Sequence, residues 1–95
     1  MLIGSLKIEF KLHGIFSIKE KRSIVNSLKQ KIRNKFNVSV AEVEAQDSLE
    51  NLVLAVITVA NETRHVQSIL NKTVSLIENN SSEEITDINM EVFGA

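Results

Sequence analysis

Leu52-Val53-Leu54-Ala55-Val56-Ile57-Thr58-Val59-Ala60 is apolar in both alternating phases and rich in β-branched residues. That is the pattern of a strand in the middle of a sheet, covered on both sides. Asn61, directly after it, is placed to cap a helix in which Val66, Ile69, Leu70, Thr73 and Ile77 recur at i, i+3, i+4, i+7 and i+11. Asn79-Asn80-Ser81-Ser82 closes that helix, and residues 84–93 form a further strand with Ile88, Met90 and Val92 on one face. Before the central run lie a polar connection, Gln46–Asn51, and an extended stretch, Val38–Ala45. The apolar phase of that stretch slips between Val40 and Val43, which calls for a bulge or for burial on both faces.

Toward the N-terminus, Leu6, Ile8, Phe10 and Leu12 alternate with Lys7, Glu9 and Lys11, a half-buried strand that His13-Gly14 breaks. Ser17 and Glu20 have the spacing of a capping box, so a helix should begin at about Ile18. Ile18, Ile24, Val25, Leu28, Ile32 and Phe36 project within an arc of roughly 120° on it, and Asn37 is its terminator. The order is β-α-β-β-α-β. It predicts an α+β chain, residues 1–95 as a single ferredoxin-like domain: a four-stranded antiparallel sheet with two helices on one face. One phase of residues 52–60 must then find cover on the open face. A homodimer through that face or through an edge strand would supply it, as would Lys7, Lys11 and glutamate side chains lying across it.

Among 95 residues there is no cysteine, which excludes disulfides, thiolate chemistry and Cys-based metal sites. No apolar run reaches the ~18–20 residues of a membrane span and no signal-peptide pattern opens the chain, so a cytoplasmic location is expected. The net charge of −1 hides an asymmetry: residues 1–36 carry nine Lys/Arg against Glu9 and Glu20 (+7), and residues 37–95 carry Arg64 and Lys72 against ten acids (−8). Seven of the eleven basic residues fall between Lys19 and Lys35. Lys19, Arg22, Lys29 and Arg33 project within about 80° of one another, with Asn26 and Gln30 among them. Glu20 is the only acid there, and Ile24 occupies its i+4 position, so the helix forgoes the opposite-charge pairs a solvated helix commonly carries.

Lys19, Lys21 and Arg22 also crowd the positive end of the helix dipole, at about 0.3–1 kcal/mol each. This pattern points to an anionic partner, with Lys19, Lys21, Arg22, Lys29, Arg33 and Lys35 as candidate contacts and His13 and Ser17 as phosphate contacts from the preceding turn. A polynucleotide backbone matches a stripe of this length better than a small phosphate, for which His13-Gly14-Ile15 is a thin cradle. There is no Trp or Tyr and Phe10 has the phase of the core, so bases are not expected to stack on the sheet. The reading is a non-catalytic RNA-binding protein without cofactor or metal.

Two alternatives are a module that binds an acidic protein and an acylphosphatase-like enzyme using the turn after the first strand. The latter lacks an arginine in the cradle, since the first is Arg22 inside the helix, and Asn51 is a loose candidate for orienting water. His13 and His65 are too isolated to suggest a metal centre, and Glu42, Glu44 and Asp47 read as strand-surface and loop acids.

Ser17-Ile18-Lys19-Glu20-Lys21-Arg22-Ser23-Ile24-Val25, Lys35-Phe36-Asn37-Val38-Ser39-Val40-Ala41-Glu42-Val43 and Gln46-Asp47 resemble segments of the YlxP-like family, small bacterial proteins of uncharacterised function. The likeness runs over about residues 2–92. It implies a ferredoxin-like fold and a gene neighbourhood of transcription and translation factors. A role in ribosome assembly or translation follows from it, with RNA or the ribosomal small subunit as partner and no catalytic residues to carry over. The chain departs from the family after Asp47, where a Trp and a basic residue are common and Leu49, Glu50 and Asn51 stand here.

Overall fold

A computed structural model describes residues 1–95. Its elements are β1 (Leu2–Lys11), α1 (Ile18–Lys35), β2 (Ser39–Glu44), β3 (Asn51–Ala60), α2 (Thr63–Asn80) and β4 (Glu84–Gly94). The strands pair antiparallel in the order β2-β3-β1-β4, so the two long apolar strands occupy the centre. Leu6, Ile8 and Phe10 of β1 and Leu52, Leu54 and Val56 of β3 face Val25, Leu28 and Ile32 of α1 and Val66, Leu70 and Ile77 of α2 in one buried core. α1 packs along β2 and against α2, while α2 covers β1 and β3. This is the ferredoxin-like arrangement. No helix is long and apolar enough to cross a membrane.

Local chemistry accounts for most boundaries. The Ser17 hydroxyl accepts from the Glu20 amide at 3.1 Å and caps α1. The phase slip in β2 is a bulge: Glu42 lies opposite Leu54 and Glu44 opposite Val53, leaving Val43 as the extra residue. A second irregularity in β4 lets Thr86 donate to the Glu9 carbonyl at 3.2 Å and turns Ile85 to the face of Phe10. The cap of α2 differs from expectation. Glu62 occupies that position without a side-chain hydrogen bond, one residue after Asn61.

The central strand is also not covered on both sides. Its second phase lies on the open face, where Val53 is 4% exposed but Ile57 and Val59 are 41% and 58% exposed. The difference comes from charged side chains. Lys7 on β1 reaches over β3 to Glu44 on β2 at 3.0 Å, and Lys11 meets Glu50 at 3.4 Å, so aliphatic stems roof the end containing Val53. The hydrogen bond and charge of Glu44 hold the Lys7 ammonium above its ordinary pKa of 10.5, so Lys7 carries its charge at neutral pH. At the other end Ile57, Val59 and Phe93 stand open. A homodimer through edge strand β4, two-fold about Asn89, would oppose Asp87 to Glu91, like charges directly across a ladder.

Two close contacts tie the helices down. Gly4 lies beneath α2, and a Cβ there would overlap Val66 Cγ1 and come 2.9 Å from Leu70 Cδ1. Lys21 is 1% exposed, and its Nζ donates to the Ala45 carbonyl at 2.6 Å and lies 3.0 Å from Glu42 Oε2. Gly4→Ala should lower stability by about 1–3 kcal/mol in urea titration, with part recovered by adding Val66→Ala. Lys21→Met should cost about 3 kcal/mol, the low end for breaking a buried pair, because the Glu42 side chain keeps 18% exposure. Adding Glu42→Leu should restore most of that loss.

Candidate nucleic-acid interface

α1 lies against the sheet through Val25, Leu28 and Ile32, and this orientation decides what each of its cations can reach. At 3.6 residues per turn, Lys21 projects into the same stripe as those three residues. Lys21 is therefore removed from the candidate contacts: its ammonium is buried and committed to Glu42 and Ala45. Arg22, Lys29 and Arg33 lie on the flank that faces β2, with Lys19 turned outward beside them. Arg33 Nη2 donates to the Val40 carbonyl at 3.0 Å, which anchors the guanidinium on an edge strand and leaves its other donors free. Lys35 is not part of this stripe. It projects roughly 160° away, toward α2.

On that second flank Lys35 and Lys72 line a groove of about 360 Å³ with Phe36, Ser75, Leu76, Asn79 and Asn80 and no carboxylate. Lys31 donates to the Asn80 carbonyl at 3.4 Å next to it. Lys72 escapes a reading of the sequence because the cation that shares this groove with it, Lys35, belongs to the other helix. The basic surface thus has two parts: Lys19, Arg22, Lys29 and Arg33 along the β2 flank, and Lys31, Lys35 and Lys72 between the helices.

Carboxylates from the second half of the chain do come back to the first, but selectively. Glu44, Glu50, Glu42 and Glu84 pair with Lys7, Lys11, Lys21 and His13. None lies within ion-pairing distance of Lys19, Arg22, Lys29, Lys31, Arg33 or Lys35. The basic surface has acidic borders at Arg22, which shares a polar hollow with Glu42, Gln46 and Asp47, and at Lys31, which shares one with Glu83.

The turn between β1 and α1 is less suited to phosphate than its sequence suggests. His13 Nε2 lies 3.0 Å from Glu84 Oε1, so an anion there would meet a carboxylate. Ser17 is occupied as the helix cap. Gly14 turns the chain with φ of +71°, and Ile15 packs on the core. Phe16 is left 84% exposed, a position that composition and periodicity did not mark.

The fold has structural neighbours of several kinds. A dimeric protein of unknown function and ferredoxin-like fold from Bacteroides fragilis superposes with a TM-score of 0.53 at 12% identity, over 97% of this chain and 94% of that one. SnoaB, a cofactor-independent oxygenase from Streptomyces nogalater, gives 0.53 at 10% identity, over 100% and 94%. The de novo designed protein Foldit4 gives 0.52 at 6% identity, over 99% and 97%. An oxygenase and a designed chain on one architecture show that the likeness is one of fold. In sequence, the uncharacterised protein YlxP of Bacillus subtilis (strain 168) is 26% identical over 77 residues, 81% of this chain and 84% of that protein. The model of a family described as a protein of unknown function, DUF503, matches residues 3–90, and the chain belongs to that family.

Proposed function

We propose that the protein is a non-catalytic RNA-binding factor that holds phosphates on the β2 flank of α1. The observation that carries this reading is selective neutralisation. Every basic side chain of the N-terminal half outside the exposed surface of α1 has found a carboxylate, whereas Lys19, Arg22, Lys29 and Arg33 have none. Leaving four cations side by side on a helix costs repulsion and forgoes pairs of about 0.2–0.5 kcal/mol each. An anionic polymer offsets that cost, because each phosphate neutralised releases condensed counterions. The cations of the second flank, Lys35 and Lys72, form a separate basic area between the helices.

Ribosomal RNA of the small subunit is the partner we put forward, in ribosome assembly or translation. It is supported by the family resemblance at residues 17–25 and 35–43 together with this surface.

Charge reversal can test the helix without unfolding it. Lys19→Glu puts an acid at the positive end of the dipole and three residues before Arg22, and Lys29→Glu puts one four residues before Arg33. The double variant should keep or raise the melting temperature, yet lose RNA binding by about two orders of magnitude in fluorescence anisotropy. The wild-type log Kd should vary with log salt with a slope of about 3 to 4, for roughly four phosphates. Recovery of small-subunit ribosomal RNA with the tagged protein should be lost on ribonuclease treatment. A partner that survives ribonuclease and binds the double variant equally well would reject the reading.

A further inference from the structure

Phe16 is the most exposed large hydrophobic side chain of the molecule, at 84%, and it is absent from the core and from the residues packed against it. Its exposure has an identifiable cause. A residue just before a helix cap ordinarily packs on the fourth helical residue, the hydrophobic staple. Here the cap is Ser17 and the fourth residue is Lys21, whose side chain runs inward to Glu42 and Ala45. The staple therefore has no second half.

The backbone on either side is nonetheless held. Ile15 packs on the core, Ser17 is hydrogen-bonded to Glu20, and His13 is bridged to Glu84. A ring that stabilises nothing within the chain is thus presented from an anchored turn. Lys19 and Arg22, exposed and without ion pairs, follow it within two helical turns.

From this arrangement we infer that Phe16 is a stacking platform for an unpaired nucleobase, and that the polynucleotide held by α1 is single-stranded RNA. The inference rests on the RNA reading above and specifies its ligand. A phenyl ring offers a base a face of similar size, and stacking accepts any base, so recognition would depend on single-strandedness and not on sequence. Duplex RNA keeps its bases within the helix and gives Phe16 nothing to stack on. The ring adds to the counterion contribution of the cations without changing its salt dependence.

The test compares three fluorescein-labelled probes: a twelve-nucleotide oligouridylate, an RNA duplex of the same length, and a twelve-unit abasic phosphodiester. Phe16→Ala should weaken binding of the oligouridylate by about ten-fold or more. It should change the Kd for the duplex and the abasic strand by less than about two-fold and leave the salt slope unaltered. Phe16→Trp should keep the affinity. Because the chain has no other tryptophan, its emission should be quenched by the oligouridylate and not by the abasic strand. If Lys19→Glu/Lys29→Glu abolishes binding of the oligouridylate while Phe16→Ala binds it as wild type does, the stacking role is overturned and the RNA reading survives. If the wild-type protein binds neither RNA probe, both are overturned.

Discussion

A lysine buried among apolar side chains must bring its counter-charge inside with it, and Lys21 imposes that condition on the whole of the β2 side. The unpaired ammonium would cost several kcal/mol in the core, so α1 is stable only where Glu42 and the Ala45 carbonyl can reach it. Both partners are on β2 and the residue that follows it. The bulge at Val43 sits between them, and Ala45 adopts a left-handed φ of +56° that carries its carbonyl into the contact. The rotation of α1 about its own axis is thereby set by a polar contact as well as by Val25, Leu28 and Ile32. With that rotation set, Arg22, Lys29 and Arg33 share one flank and Lys31 and Lys35 the other.

The opposite signs of the two halves of the chain mean something different in three dimensions than in sequence. The acids of the second half return to the first by antiparallel pairing, which sets β2 and the loop before β3 near the charged face of β1. Glu44 and Glu50 thus come within reach of Lys7 and Lys11 across the open sheet face. Glu84 opens β4 opposite the end of β1, where His13 stands. The outer surface of α1 has no strand beside it except β2, and β2 spends Glu42 on the buried lysine and Glu44 on the sheet. The helix therefore keeps its charge for reasons of topology. A net charge near zero reports none of this.

Features decided within a few residues were legible in the sequence. Ser17 caps α1, the slip between Val40 and Val43 is a bulge, and the alternation of Leu6, Ile8 and Phe10 faces the core. What depends on distant partners was not. Lys21 carried a clue in its phase, four residues before Val25 and seven before Leu28, but whether a carboxylate waits in the core is settled only by the register of β2. Lys72 joins Lys35 through packing of two helices far apart in sequence. The covering of β3 was legible in part. Both phases of residues 52–60 are apolar, yet only the position of the Lys7–Glu44 span explains why Val53 is buried and Ile57 is not. Phe16 escaped notice because an aromatic in a turn has no period to betray it.

The open sheet face is where a four-stranded fold of this kind has room to stack bases, and this molecule has given that face other tasks. One end is spanned by ion pairs between strands, which would have to break before a base could lie on Val53 or Ala55. The other end offers Ile57 and Val59, branched aliphatic side chains without a π face, and a single aromatic, Phe93, on the edge strand two residues from Glu91. The acids of β4 would repel the phosphates that accompany any base brought to Phe93. Cations and an unshielded ring coincide at the start of α1, where Phe16, Lys19 and Arg22 succeed one another along the chain. An architecture shared with an oxygenase and a designed protein leaves the choice of binding surface open, and charge placement is what favours the helix over the sheet in the reading proposed above.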